Sequence, residues 1–109
     1  MPKTPFGSDV LKQQNAVEVR SNVTATSYTD VVNYTGKGFL TFVYQKQDSQ
    51  IGTVRITIDG GTSYSVAPGA GEQRSVFSGM LRFKTSLVID AFVVSGGTAR
   101  VQIVYSTDN

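Results

Sequence analysis

Apolar and polar residues alternate along several short stretches of the chain. Over residues 16–26 valines and alanines alternate with polar residues, and residues 52–58 repeat the pattern with valine and isoleucine. Because successive side chains of a strand point to opposite faces, a period of two predicts a strand with one buried face. Residues 29–34 and 99–105 are rich in β-branched residues and predict two further strands.

Two other stretches, 39–44 and 87–94, are apolar on both faces. Such a strand is either central and covered on both sides within one chain, or buried against another subunit on its second face. Because a chain of 109 residues has little material to cover two faces, we expect a subunit interface on these strands. The predicted interface residues are Phe39, Phe42, Leu87, Ile89, Phe92 and Val94.

Segments rich in glycine and proline separate the strands. Asp59-Gly60 predicts a hairpin, since both central residues of a type I′ turn need a positive φ. Residues 95–98, Ser-Gly-Gly-Thr, predict a second hairpin. Residues 67–73 predict a surface loop, and residues 1–15, with two prolines and a polar run, predict a flexible N-terminal arm.

Seven to eight short strands without an amphipathic helix predict an all-β fold. Parallel units would need crossover helices, so an antiparallel β-sandwich, jelly-roll-like, is the expected architecture. The length fits one domain, which we expect to occupy residues 16–109 after the arm.

Charge and hydropathy restrict the partners. Ten basic and eight acidic residues give a net charge of +2, and the basic residues are scattered without a run, so we expect no nucleic-acid partner. No apolar stretch reaches membrane-spanning length and the N-terminus lacks the apolar run of a signal peptide. We therefore expect no membrane partner and synthesis in the cytoplasm.

The chain contains no histidine, cysteine or tryptophan. The commonest general base, metal ligand and thiolate nucleophile are therefore absent, and we expect no catalytic residues, no cofactor and no metal. Two weaker alternatives remain: a small hydrolase using Asp59 and Asp90, and a calcium loop site at Asp59 with Asp48 or Asp90. Asp59 is explained more simply as a turn former.

Five tyrosines lie among serines, threonines, asparagines and glutamines, a combination that can stack on sugars and bind their hydroxyls. Tyr34, Tyr64 and the 67–73 loop would form such a surface. This predicts, as the alternative to an assembly role, a carbohydrate- or cell-surface-binding module. Against it, the chain lacks tryptophan, and tyrosines are ordinarily half-buried at sheet margins.

Three segments resemble the β-rich virion proteins of tailed bacteriophages: Gly-Lys-Gly-Phe-Leu at 36–40, the alternating run 54–62 and Phe-Lys-Thr-Ser-Leu-Val-Ile at 83–89. In those proteins a Gly-x-Gly-apolar strand precedes an alternating strand ending in Asp-Gly, a Phe-x-x-Ser-Leu strand and a final hairpin. The resemblance spans residues 30–105.

The resemblance implies a small head-decoration, head-fibre or tail-associated protein located in the virion. Such proteins are commonly trimers and attach to the capsid or tail by a terminal arm or a sheet face. The expected partners are thus further copies of the chain and other virion proteins, with a cell-surface glycan under the alternative. No catalytic residue is carried over. The chain lacks the long repetitive stalk of fibre proteins, which speaks against a receptor-binding role.

Overall fold

The computed structural model describes residues 14–47, 52–61, 63–66 and 73–108. Within these ranges the chain forms strands and turns, and it contains no helix long and apolar enough to cross a membrane. The strands are β1 (Gln14–Val23), β2 (Thr29–Thr35), β3 (Gly38–Gln47), β4 (Gly52–Ile58), β5 (Ser63–Val66), β6 (Gln73–Phe83), β7 (Ser86–Val93) and β8 (Ala99–Asp108).

Two predicted segments fall largely outside the described residues. Of the predicted arm, residues 1–13 are not described, and β1 begins at Gln14. Of the predicted loop, residues 67–72 are not described, and β6 begins at Gln73. The arm, the loop and the extent of the sandwich domain therefore stay predictions.

The strands form two four-stranded antiparallel sheets. The first sheet has the order β1-β8-β3-β6, and the second has the order β2-β7-β4-β5. β1 pairs with β8, β2 with β7, β3 with β6 and β4 with β5, so the chain is paired like one long hairpin that has been rolled into two layers. This winding confirms the predicted all-β, antiparallel, jelly-roll-like sandwich.

The two predicted hairpins have different outcomes. Asp59 and Gly60 have φ values of 56° and 67°, and β4 pairs with β5 across them, as predicted. Residues 95–98 do form a tight turn, closed by a 3.0 Å hydrogen bond from the Gly97 N–H to the Val94 carbonyl. However, β7 and β8 belong to different sheets, so the prediction of a hairpin there is wrong. Turn residues reveal that the chain reverses, but they do not determine which strands pair.

β6 is the strand that the residue pattern does not predict. Its register with β3 shifts twice, and Gly79 within it has a φ of 143°, so its side chains do not alternate regularly. Residues 83–89, which the resemblance puts in one strand, contain the turn between β6 and β7.

The core lies between the two sheets. Its buried apolar side chains are Val23, Val32, Leu40, Val43, Val54, Ile56, Phe83, Leu87, Ile89, Ala91, Val93, Ala99, Val101, Ile103 and Tyr105. Leu87 and Ile89 are fully buried in this cluster. Their prediction as subunit-interface residues is therefore wrong, because the inner face of β7 is covered by the opposite sheet of the same chain.

A β-bulge at Thr41 decides which side chains of β3 face the core. The register with β8 shifts between Leu40 and Phe42, and the Thr41 hydroxyl donates a 2.8 Å hydrogen bond to the Val104 carbonyl. One extra residue reverses the alternation of a strand. The buried residues are Leu40, Val43 and Gln45, and the partly or fully exposed ones are Phe39, Phe42, Tyr44 and Lys46. This bulge explains why the stretch is apolar on both faces.

Candidate interaction surfaces

Three of the four remaining predicted interface residues are divided between the two outer faces of the sandwich, so the four do not form one surface. Phe39 and Phe42 are on the outer face of the first sheet, whereas Phe92 lies on the outer face of the second sheet. Val94 follows the end of β7 and is 41% exposed. A partner can therefore contact the two groups only through separate surfaces.

The outer face of the first sheet carries an aromatic face, which we define as Phe39, Phe42, Tyr44 and Val104. The rings of Phe42 and Tyr44 are nearly parallel, with centroids 6.2 Å apart. Val104 of β8 lies directly opposite Phe42 in the register of the two strands. These apolar side chains occupy the middle of the sheet, since β3 and β8 are its central strands.

A charged pair borders the aromatic face. The guanidinium of Arg82 lies over the Phe39 ring at 4.9 Å and forms an ion pair with Asp108 at 2.9 Å. The arginine thereby covers part of the ring while remaining in contact with water.

On the outer face of the second sheet, Phe92 is covered by the chain's own Tyr28. The two rings meet edge to face at 4.8 Å, and the Arg55 guanidinium lies over the Tyr28 ring at 3.7 Å. Arg55 also donates two hydrogen bonds to Asp90, at 3.0 and 2.5 Å, which pairs this buried carboxylate. The hydrogen bond to Asp90 raises the pKa of Arg55. The segment before β2 thus supplies a cover that sequence reasoning did not foresee.

A basic groove of about 370 Å³ lies on the first sheet, near the C-terminal end of β3. Its charged members are Arg20 of β1, Lys46 of β3 and Arg100 of β8. Side chains of Asn22, Tyr44 and Gln102 line it as well. The three cations are far apart in the sequence and were not predicted as a site, because only the pairing of β1, β8 and β3 brings them together.

An apolar cleft of about 270 Å³ opens between the edge strands β5 and β6. Among the described residues, its lining includes Ile56, Tyr64, Val76, Phe77 and Leu81. Tyr64 is 57% exposed, consistent with a side chain at the margin of a sheet. Both β5 and β6 are edge strands of their sheets, on the same side of the sandwich.

The predicted ligand surface of Tyr34 and Tyr64 does not form. Tyr34 is half-buried between the sheets, with its ring 5.9 Å from that of Phe83 and 5.8 Å from that of Tyr105. Burial of the Tyr105 hydroxyl raises its pKa, and the electrostatic effect of the nearby Tyr34 raises it further. Tyr34 belongs to β2 and Tyr64 to β5, which are the opposite edges of the second sheet. This part of the carbohydrate-binding prediction is wrong because strand order separates the two tyrosines.

The Asp59 carboxylate connects two turns. Its Oδ1 accepts hydrogen bonds from the backbone N–H groups of Thr85, Lys84 and Ser86, at 2.7 to 3.1 Å, and from the Thr85 hydroxyl. The bond from the Thr85 N–H, with those from its neighbours, lowers the pKa of Asp59 to about 2. Asp59 therefore has the structural role of a turn former.

The weaker chemical alternatives gain no support. The Asp59 N–H bonds the Ser86 carbonyl, and Asp90 lies four residues further along β7, so the two aspartates are about 13 Å apart along the strand. Glycosidases hold their carboxylate pair within about 5–10 Å. Among the described residues, no three His, Cys, Asp or Glu side chains are grouped to hold a metal ion. Asp48 lies outside these residues.

Comparison with known proteins gives distant likenesses. No protein-family model matches the sequence, and no curated protein matches it. A chain of the "Cyanophage Pam1 capsid asymmetric unit" is similar with 18% identity and a TM-score of 0.44, covering 98% of this chain and 91% of that chain. The crystal structure of the Yersinia pseudotuberculosis-derived mitogen is similar with 10% identity and a TM-score of 0.35, covering 87% of this chain and 86% of that one. Neither similarity is close enough to indicate a function for this chain.

Proposed function

We propose that this chain is a non-enzymatic structural protein of a bacteriophage virion, which self-associates and attaches to the capsid or tail. It would be made in the cytoplasm of the bacterial host. The observation that carries the proposal is the aromatic face: large apolar side chains lie at the centre of a sheet, on the side opposite the core. The sequence resemblance to virion proteins points in the same direction.

The physical reason for self-association is the cost of leaving these rings in water. Burying apolar surface stabilises a complex by about 25 cal/mol per Å² before the costs of association are subtracted. Phe42, Tyr44 and Val104 adjoin one another across the two central strands, so one partner can bury them together. Among the described residues, no further strand covers the outer face of this sheet.

A trimer is the stoichiometry that the resemblance implies, and it stays a prediction. Phe92 and Val94 provide a smaller second surface, because Tyr28 already covers the Phe92 ring. Attachment to the capsid or tail would then use the second sheet's outer face or the N-terminal arm. The non-enzymatic assignment is supported by the absence of histidine and cysteine from the sequence and by the separation of Asp59 from Asp90.

The proposal is tested with the variant Phe42→Asp. A carboxylate at the centre of the aromatic face would have to be desolvated on association, so we expect the oligomer to dissociate into monomers. The mass in solution is measured by light scattering coupled to size-exclusion chromatography, and strand content by circular dichroism. Wild-type protein is expected to be oligomeric at high micromolar concentration.

Thr35→Asp is the matched control, since it places the same charge at an exposed position on the outer face of the second sheet. It should leave the oligomer intact. A wild-type protein that is monomeric at high micromolar concentration would contradict the proposal. An oligomer that survives Phe42→Asp and dissociates with Phe92→Asp would move the interface to the other sheet.

One observation favours the alternative function, a carbohydrate- or cell-surface-binding module. It does not involve the predicted surface of Tyr34 and Tyr64. The basic groove combines charge, amide groups and an aromatic ring in a cavity of ligand size.

A further inference from the structure

We propose that the basic groove binds an anionic saccharide, a sugar that carries a carboxylate or a sulfate, as found on cell-surface polysaccharides. The inference does not rest on self-association: of the groove residues that the structure describes, only Tyr44 also belongs to the aromatic face. It replaces the Tyr34 and Tyr64 surface as the candidate ligand site.

The strand register concentrates positive charge in the groove. Arg100 of β8 lies opposite Asn22 of β1 on one side and opposite Lys46 of β3 on the other. Arg20 lies two residues before Asn22 in β1, on the same face of the strand, and pairs with Gln102 of β8. Like charges on directly opposed residues destabilise a sheet. An anion bound between Lys46 and Arg100 would therefore reduce the repulsion between their positive charges.

One carboxylate lies at the margin of the groove and compensates part of this charge. Glu18 forms a 3.4 Å ion pair with Arg20 and accepts a 2.9 Å hydrogen bond from the Gln102 amide. The Arg20 and Glu18 side chains are mostly exposed, so the pair is weak. The remaining excess of charge in the groove is positive and lies at Lys46 and Arg100. The groove therefore favours an anionic ligand over a cationic one.

The neutral lining favours a sugar over a simple ion. Tyr44 contributes an aromatic ring, stacked on Phe42, and aromatic faces pack against the C–H faces of sugar rings. Asn22 and Gln102 contribute side-chain amides, which both donate and accept hydrogen bonds and so suit hydroxyl groups. An inorganic anion would contact the cations alone, whereas a sugar can also contact the Tyr44 ring and the amides of Asn22 and Gln102.

The size of the groove favours a small ligand over a macromolecular partner. Its volume of about 370 Å³ falls in the range of small-molecule sites, about 300–1,000 Å³. A nucleic acid would require an extended basic stripe along its backbone, whereas the net charge of this chain is +2 and its other basic residues are scattered. The groove therefore fits a short stretch of an acidic polysaccharide.

The experiment titrates the full-length protein with a galacturonate trisaccharide and with the neutral galactose trisaccharide, at low and at physiological salt. Calorimetry measures affinity, and backbone NMR shifts locate the ligand. We expect the acidic trisaccharide to bind with a Kd of about 0.1–1 mM, weakened by salt, and to shift the amide signals of Tyr44 and Gln102. The neutral trisaccharide should bind at least about tenfold more weakly.

The variant Lys46→Gln with Arg100→Gln removes the two central charges. It should lower the affinity for the acidic trisaccharide about tenfold, the loss expected from two exposed charge contacts. The matched control, Lys37→Gln with Lys84→Gln, removes two exposed lysines near the opposite end of β3 and should bind as the wild type does. Circular dichroism verifies that both double variants are folded.

Four outcomes of the titrations with the wild-type protein would overturn the inference. These are equal binding of the neutral trisaccharide, equal binding of sodium sulfate, tighter binding of a single-stranded oligonucleotide, and no binding up to about 10 mM. Equal loss of affinity in the control pair would likewise overturn it, because the site would then not be the groove. A monomeric protein that still binds the acidic trisaccharide would contradict the proposed function and leave this inference standing.

Discussion

Gln45 occupies a core position without using its amide. Its side chain is fully buried, and neither its Nε2 nor its Oε1 has a hydrogen-bond partner. The bulge at Thr41 brings it there, since without the shift in alternation residue 45 would lie on the outer face. A buried polar group without a partner costs about 1–3 kcal/mol.

We therefore expect Gln45→Met, which keeps the length of the side chain, to raise the free energy of unfolding by about 1–3 kcal/mol. Urea denaturation followed by circular dichroism measures the change. Lys37→Met, at an exposed position, is the control and should change stability by less than about 0.5 kcal/mol. A destabilised Gln45→Met would mean that the amide is hydrogen-bonded in solution, for example by a buried water molecule.

Asp59 makes the stability of the fold depend on pH. Its pKa is about 2 in the folded chain, below the ordinary value of 3.8 for an aspartate, because the charged form accepts hydrogen bonds from residues 84–86. A depressed folded pKa contributes stability that is present above the unfolded pKa and lost as the pH falls through the folded one. The contribution should therefore disappear between about pH 4 and pH 2.

Asp59→Asn should remove this acid-dependent step, since the amide does not ionise and asparagine still tolerates the φ of 56°. Thermal unfolding at several pH values between 5 and 2 tests this expectation. Asp30→Asn is the control, because the Asp30 carboxylate accepts a bond only from the nearby Asn33 in the described contacts. An unchanged acid step in Asp59→Asn would show that the hydrogen bonds to residues 84–86 do not persist in solution.

At the scale of elements, β3 depends on a close approach at its first residue. Gly38 pairs with Phe83 of β6 and Thr107 of β8. A Cβ atom there would overlap the Ser106 carbonyl oxygen and lie 2.8 Å from the Phe83 ring. Because the contacts with the carbonyl oxygen and carbonyl carbon of Ser106 are backbone contacts, they cannot move aside as a flexible side chain would.

Gly38→Ala should therefore destabilise the fold by about 1–3 kcal/mol or more, the usual cost of overpacking. Chemical denaturation of the variant tests it. Gly61→Ala is the matched control: its Cβ would lie 3.4 Å from the Ile58 carbonyl oxygen, and the change should be within about 0.5 kcal/mol. Similar stability of both variants would contradict the close approach.

At the scale of the whole molecule, the rolled topology distributes stability unevenly. β7 and β8 each pair with two strands, whereas β5 is a four-residue edge strand paired only with β4 in the described sheets. Central strands open only when the fold opens globally, while edge strands open locally.

We expect amide hydrogens of β7 and β8 to exchange most slowly and those of β5 to exchange early. Hydrogen exchange followed by mass spectrometry on the assembled protein measures this order. If the proposed interface uses the aromatic face, the edges stay unpaired and this order holds in the oligomer too. Protection of β5 equal to that of β8 would instead indicate pairing of edge strands between subunits.

Local patterns in the amino-acid sequence predict the fold class and most of the strands. Alternation is a local property, so it located the single-faced strand β4, and the Asp59-Gly60 turn followed from the φ values its residues tolerate. The sequence also limited the chemistry, because it contains no histidine or cysteine.

Which residues come into contact depends on the three-dimensional packing of the strands. The bulge at Thr41 and the cover that Tyr28 provides for Phe92 arise from contacts between distant segments, and they explain strands that look two-faced from the sequence. Packing of the two sheets likewise puts Leu87 in the core, and the pairing of β3 with β8 brings Lys46 next to Arg100. Strand pairing depends on long-range packing of the two sheets, which a local period of two cannot encode.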